Sequence, residues 1–174
     1  MKKIIALVLM LVTLIPALCF ADKVEPVIRS DSRTFNPLSG VYDLQGNVFV
    51  QFPAKNKTLT ITGDATQVHL YAMEVHGQGN ITLTYDDLTF KCDKVDVYHS
   101  DSSAHVSGNL LFTQGQTRIT ATEGVFNWKN KQAEFDGNVT VNGKPHAGLL
   151  TYDVIQQKIV DTAPVAAKAP AKAK

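Results

Sequence analysis

Apolar residues recur at every second position through most of the chain: Val48 and Val50, Ile81 and Leu83, Val95 and Val97, Leu110 and Phe112, Val139 and Val141. Period two in stretches rich in Val, Thr, Ile, Phe and Tyr is the pattern of strands with one buried face. Beyond the N-terminal segment no run of ten residues carries a 3.6-residue period, so the pattern predicts an all-β chain.

The alternation is itself repeated. Gly-Asn stands at 46–47, 79–80, 108–109 and 137–138, and reading backwards from each pair gives four segments of equal length: 28–47, 61–80, 90–109 and 119–138. They begin with Ile28, Ile61, Phe90 and Ile119, and two places on stand the small residues Ser30, Gly63, Cys92 and Ala121. Seven places on stand Phe35, Val68, Val97 and Phe126, and directly after Gly-Asn come Val48, Ile81, Leu110 and Val139. Agreement in several independent columns excludes a chance preference for one dipeptide. The unit is 29 residues, with a four-residue insertion, Pro53 to Asn56, in the first copy. Self-similarity of this kind marks a stacked repeat architecture, in which neighbours cover what one unit leaves open. An eroded fifth copy, from Gly148 through LLTYDVIQQKIV, is placed to act as a cap.

Turn chemistry falls at Asn36-Pro37, Ser100-Asp101-Ser102 and Lys129-Asn130-Lys131, one phase of three repeats, and a further turn is expected at each Gly-Asn. Asp31, Asp64 and Asp93 sit three places into their units, where the parity of the apolar residues flips. Such a flip within an extended segment suggests a bulge or a corner at which a strand leaves one sheet and joins another. The expected architecture is two long antiparallel sheets facing each other and growing by one layer per repeat, an open-ended β-jelly roll.

The ends have a different character. Residues 1–21 have a basic start at Lys2 and Lys3, an apolar run from Ile4 to Leu18 and small residues Cys19 and Ala21, which read as a secretory signal cleaved after Ala21. The run is too short for a stable membrane span, and Leu18 occupies the place where lipidation of Cys19 needs a small residue. The tail, 162–174, is rich in Ala, Pro and Lys, and too poor in apolar surface to offset its ordering entropy, so it is expected to be disordered. Residues 22–161 then form one domain.

Cleavage removes two of the 17 basic residues and none of the 16 acids, leaving a net charge of −1. Without the three tail lysines, residues 22–161 carry 12 basic against 16 acidic side chains, or −4. Nucleic acid, whose binding needs a basic stripe, is not an expected partner. Cys92 is the one cysteine of the mature chain, so no intrachain disulfide supports the exported fold.

Candidate chemistry is sparse. The five histidines, His69, His76, His99, His105 and His146, show neither CxxC nor HExxH company, and His69 and His99 are expected on the solvated strand face. No metal and no cofactor is expected. Cys92 shares its column with small residues and reads as a buried, inert thiol. A nucleophilic triad has no GxSxG elbow to support it, and Asp86, Asp87, Asp93 and Asp96 read as a solvated acidic face. Glycosidase chemistry needs two carboxylates at a set distance, whereas the repeats place acids in similar outward phases, so an enzyme is not expected.

The signal, the repeated G-N-V-x-V strand, preceding segments such as ATEGVFNWKNKQAEFDGNV and CDKVDVYHSDSSAHVSGNL, and the Lys/Ala/Pro tail together resemble the OstA-like family. GDATQVHLYAMEVHGQGNI fits that pattern less closely, lacking a polar turn around Tyr71 to Met73. The resemblance covers roughly residues 28–160. It implies a twisted, slightly open β-jelly roll in the periplasm whose interior takes the acyl chains of lipopolysaccharide, with no covalent chemistry. It further implies head-to-tail self-association, an LptC-type inner-membrane partner and an LptD-type outer-membrane translocon. On this reading the lipid-binding residues are Val48, Val50, Val68, Ile81, Leu83, Val95, Val97, Leu110, Phe112, Phe126, Val139 and Val141. The alternative is a structural or adaptor protein that docks through its edges and has a solid core without lipid. An LptC-like protein shares the fold but keeps an N-terminal anchor, against which a mature N-terminus at Asp22 argues.

Overall fold

The computed structural model describes residues 26–54 and 56–160. The signal-like segment 1–21 and the tail 162–174 lie outside the described residues. Within them run thirteen strands: β1 (Val27–Arg29), β2 (Ser32–Asn36), β3 (Val41–Ala54), β4 (Lys57–His69), β5 (Glu74–Tyr85), β6 (Leu88–Tyr98), β7 (Ser103–Gln114), β8 (Thr117–Asn127), β9 (Gln132–Asp136), β10 (Thr140–Val141), β11 (Lys144–Pro145), β12 (Leu150–Asp153) and β13 (Lys158–Val160). All pairings are antiparallel and mostly between chain neighbours, in the order β1-β3-β4-β5-β6-β7-β8-β9-β12-β13, with β2 also on β3 and β10 on β8. The all-β expectation holds.

The long strands are bent at one height. The ladder between β3 and β4 runs from Val41↔His69 to Gln45↔Ala65, then resumes at Val48↔Gly63, so that Gly46 and Asn47 oppose Asp64 alone. The same two-against-one bulge sets Gly79-Asn80 against Asp93 and Gly108-Asn109 against Thr122. Bulges bend a strand and sharpen its twist. Aligned across the sheet, they fold one hydrogen-bonded sheet into two facing leaves. The first leaf holds residues such as 48–54, 57–62, 81–85 and 110–114; the second holds 41–45, 65–69, 74–78 and 94–98. The predicted parity flip is visible in burial: on β4 the buried side chains go from Leu59 and Ile61 to Thr66 and Val68, and on β6 from Phe90 and Cys92 to Val95 and Val97.

The Gly-Asn pairs require a correction. They are not turns between strands, because three of them lie inside the continuous strands β3, β5 and β7. Both residues of each pair are left-handed, with φ of 73° and 45° at Gly46-Asn47 and 78° and 48° at Gly79-Asn80. That is the conformation of a tight hairpin turn, used here to bend a strand that carries on. Reversals occur elsewhere. The first leaf ends at 86–87 and 115–116; the second ends at 37–40, 70–73, 99–102 and 128–131, which includes the three polar turns expected. The turn at 70–73 lacks polar signals, and Met73 takes a left-handed φ of 57° there.

The first-copy insertion lengthens the β3–β4 hairpin by two rungs: Pro53↔Thr58 and Ala54↔Lys57 extend beyond Phe52↔Leu59, the equivalent of Tyr85↔Leu88, at which β5 and β6 close. The eroded fifth copy forms the β12–β13 hairpin laid on β9, with Leu150 opposite Phe135. The core sits between the leaves. Phe90 and Phe112 of the first leaf pack against Phe135 of the second at 6.2 and 5.2 Å between ring centroids, and Phe112 meets Tyr152 at 5.2 Å. Full burial of one such ring contributes about 2 kcal/mol.

Candidate functional site

Eleven of the twelve residues proposed from sequence as a lining are buried, and Val141 is half-buried against the same core. Val48, Val50, Ile81, Leu83, Leu110 and Phe112 come from the first leaf, with Val139 and Val141 at its C-terminal end; Val68, Val95, Val97 and Phe126 come from the second. The fold therefore brings all twelve into one interior. It adds residues not singled out as lining: Phe52, Val75, Phe90, Phe135 and Tyr152, all buried. Phe90 was legible, since it heads its repeat column, and Phe135 alternates with Ala133; Tyr152 lies in the eroded copy, where the columns no longer align.

The interior is not uniform along its length. Towards the C-terminal end it is filled by Phe90, Phe112, Phe126, Phe135 and Tyr152. Near the first repeats the leaves part in a cleft walled by Val50 and Phe52 on one side and Val68, Leu70, Met73 and Val75 on the other, with Pro26, His69 and Glu74 at its border. Its volume is about 20 Å³, room for about one water molecule.

Along the bulge line the leaves are joined by backbone; along the opposite margins, among the described residues, no backbone–backbone hydrogen bond joins them. Phe52 approaches the His99 ring at 6.4 Å, and His99 approaches Trp128 at 6.4 Å. Nearer the C-terminus Lys131 reaches the hydroxyl and ring of Tyr85, and Gln114 donates to the carbonyl of Val154 at 3.1 Å. This margin-to-margin line is a seam between the two leaves.

The histidines divide. His69 and His76 lie edge-on at 5.2 Å, His69 at the border of the cleft with its Nε2 buried rather than solvated. His99 is turned instead towards Phe52 and Trp128, because the chain reverses immediately after Tyr98 and swings the next side chain over the seam. His76 donates from Nδ1 to Asp96 at 2.8 Å, and Lys94 pairs with the same carboxylate at 2.8 Å. Burial alone would raise the Asp96 carboxyl, but the hydrogen bonds from Lys94 and His76 outweigh it and hold it below its ordinary value of 3.8. Among the described residues no group of three His, Cys, Asp or Glu side chains is placed to hold a metal ion.

The acids are answered locally. Asp86 pairs with Lys57 at 2.9 Å, Asp87 accepts from Gln114 at 2.8 Å and Gln157 at 3.1 Å, and Asp93 accepts from Asn109 at 2.8 Å. Cys92 is buried at the bulge line, donating to the Lys94 carbonyl at 3.2 Å, and burial pushes its thiol up to about 11. A thiol that stays protonated is a poor nucleophile.

At the two ends the sheet stops in short strands, β1 and β2 at one and β13 and β10–β11 at the other. Lys144 and Pro145 on β11 blunt that edge against pairing. Exposed apolar side chains gather near the ends: Val27, Phe35, Leu38 and Tyr71 at one, Leu149, Ile155 and Ile159 at the other.

No family model matches the chain, and no curated protein does. Among solved structures it is similar to LptH, the LptA-homologous periplasmic component of the conserved lipopolysaccharide transport device from Pseudomonas aeruginosa. The likeness has a TM-score of 0.54 and 11% sequence identity, covering 80% of this chain and 96% of the other. At that identity the likeness is one of fold.

Proposed function

We propose that the chain is a periplasmic lipopolysaccharide-binding bridge protein of the LptA kind, which holds acyl chains between its leaves and passes them towards the outer membrane. The observation that carries this reading is the seam: an apolar interior bounded along one margin, among the described residues, without a backbone–backbone hydrogen bond, and with a cleft at Val50, Phe52, Val68 and Val75. A lipid can enter such an interior from the side without breaking a ladder hydrogen bond. Each buried methylene contributes roughly 0.8 kcal/mol, so an acylated glycolipid crossing water needs an unbroken apolar path. Rotation of Phe52 and His99 widens the cleft, and the interior beyond it is lined by the twelve residues named from sequence.

The ends supply the joints of the bridge. Strand addition between the β1–β2 end of one copy and the β13 end of the next extends the same sheet and the same interior. An LptC-type inner-membrane protein and an LptD-type translocon would be joined by the same means. The fold likeness to LptH and the signal-like N-terminus favour this setting.

A second reading is favoured by the aromatic filling of the C-terminal half: an edge-docking adaptor with a solid core and no lipid. Mass spectrometry of lipid co-extracted with the protein from its native host separates the two. The first predicts stoichiometric acylated glycolipid; a lipid-free protein that still associates end to end sinks it and leaves the adaptor.

A further inference from the structure

The outer faces of the two leaves are opposite in charge. On the first leaf the buried Ile61, Leu83, Phe90 and Phe112 alternate with outward side chains, which strand pairing lines up in rows. One row runs Gln51, Thr60, Thr84, Thr89, Thr113 and Arg118. The row beside it sets Arg29 over the Phe49 ring at 5.6 Å and places Lys91 opposite Thr82 and Leu111. Between the bulge line and the turns that end this leaf, no aspartate or glutamate stands at an outward position among the described residues. Nor do Arg29, Lys91 and Arg118 have a carboxylate in salt-bridge reach among them.

The second leaf presents the reverse. Its outward positions carry Asp43, Asp96, Glu123, Glu134 and Asp136, and its Lys94 is taken up by Asp96 at 2.8 Å. Glu123, Glu134 and Asp136 border one groove of about 330 Å³ with His105 and Val125, and among the described residues no lysine or arginine is in salt-bridge reach of these three acids. The hydroxyl-rich face of the first leaf lacks the aromatic centre that a foreign protein would need, since Phe49 and Leu111 stand apart in their row. Its cations are too widely spaced for a polyphosphate. A second copy of this chain answers it better: the opposite charge is carried on a leaf of the same repeat, whose strands keep the same spacing of about 4.8 Å.

We propose that copies of the chain pair side by side, the outer face of the first leaf of one lying on the outer face of the second leaf of the next. Lys91 and Arg118 meet the uncommitted carboxylates of Glu123 and Glu134, and the threonine rows face the polar rows of the partner. The contact uses faces rather than edges, so it leaves the end-to-end joints free and bundles neighbouring bridges. A row of six strands spans about 24 Å and five residues along a strand about 17 Å, so each copy contributes roughly 400 Å² of face. That is less than a stable dimer buries, and the pairing is accordingly weak and sensitive to salt. It stands on the charge of the faces and does not depend on what lies between the leaves.

The test treats the full chain with a carbodiimide, which joins a lysine amine to a carboxylate only where the two touch, and reads the joined peptides by mass spectrometry. Lys91 and the second-leaf acids lie on opposite outer faces, so an amide between them forms only between copies. Peptides joining Lys91 to Glu123, Glu134 or a neighbouring second-leaf acid are expected in low salt and are expected to fade in high salt. Arg118→Glu, which leaves Lys91 in place as the reporter, is expected to lower their yield about tenfold, and Arg118→Lys to keep it, with circular dichroism showing both folded. No amide between Lys91 and a second-leaf acid, or a yield that Arg118→Glu leaves unchanged, overturns the pairing. Amides from Lys168, Lys172 or Lys174 to these acids in place of Lys91 overturn it too, and give the acidic face to the chain's own C-terminal segment.

Discussion

The side-chain amide of Asn80 donates a 2.7 Å hydrogen bond to the carboxylate of Asp64 on the neighbouring strand, and the relationship recurs at the same sixteen-residue spacing. Asn47 donates to Asp31 at 2.7 Å and Asn109 to Asp93 at 2.8 Å. These pairs pin the bulges that fold the sheet into two leaves. At the fourth bulge the acid is replaced by Thr122, which donates to the Gly137 carbonyl at 3.0 Å.

Asp64→Ala is expected to cost about 1 kcal/mol, the worth of one exposed hydrogen bond. Asp93→Thr should cost less than Asp93→Ala, since a hydroxyl already serves the fourth bulge. Urea unfolding monitored by circular dichroism checks the order. Equal losses in the two Asp93 variants would detach the carboxylate from the bend.

The glycine of each pair should be less replaceable than the acid. At Gly108, φ is 76° and an added Cβ would lie 2.5 Å from the Asp93 carboxylate. Gly108→Ala is therefore expected to cost about 2 kcal/mol, from backbone strain and contact together. Gly143 shares the left-handed conformation, with φ of 79°, but meets nothing within 4 Å. Its alanine variant should lose about 1 kcal/mol. Thermal unfolding of the two variants side by side reads the difference.

Cys92 should resist a thiol reagent at pH 8 in the folded protein and react promptly in denaturant. Its thiol rises from 9.0 to about 11 on folding, so between those values the unfolded chain loses a proton that the folded chain keeps. Stability should fall as pH rises through that window, and Cys92→Ala should remove that component of the slope. The variant itself should be well tolerated, because Ala121 fills the equivalent place in the fourth repeat.

How much of this was legible in the sequence follows from the range of each signal. The column Ser30, Gly63, Cys92, Ala121 and the parity flip beside it located the corner, because both are local and repeated. Gly-Asn was read as a chain reversal because the local conformation is that of a hairpin turn. What makes it a bulge is an aspartate sixteen residues away, Asp64 or Asp93 on the neighbouring strand or Asp31 between β1 and β2. The turn ending at Met73 carries no Gly, Asn or Pro; it is imposed by the pairing of His69 with Glu74. His99 left the expected face because a turn intervenes. Whether the interior is filled or open was not legible, since the same apolar columns serve both, and only the opposed rings of Phe112 and Phe135 reveal the filled end.

Asp96 supplies a test in acid. Its folded value lies below 3.8 because the hydrogen bonds from Lys94 and His76 outweigh the effect of burial. The stability it contributes is present above 3.8 and is lost as pH falls through the lower folded value. Nuclear magnetic resonance titration of the side-chain carboxyl should find it below 3.8 in the wild type and higher in Lys94→Ala. An unmoved titration would remove Lys94 from the account.

The central claim is that acyl chains lie between the leaves. Its most direct test places a photocrosslinking residue at Val68, inside the cleft, and at Thr60, which faces away from the interior on the first leaf. Both proteins are irradiated in cells that make lipopolysaccharide. The account predicts a lipopolysaccharide adduct from position 68 and none from position 60. Adducts from neither position, or from both alike, in folded protein would contradict it.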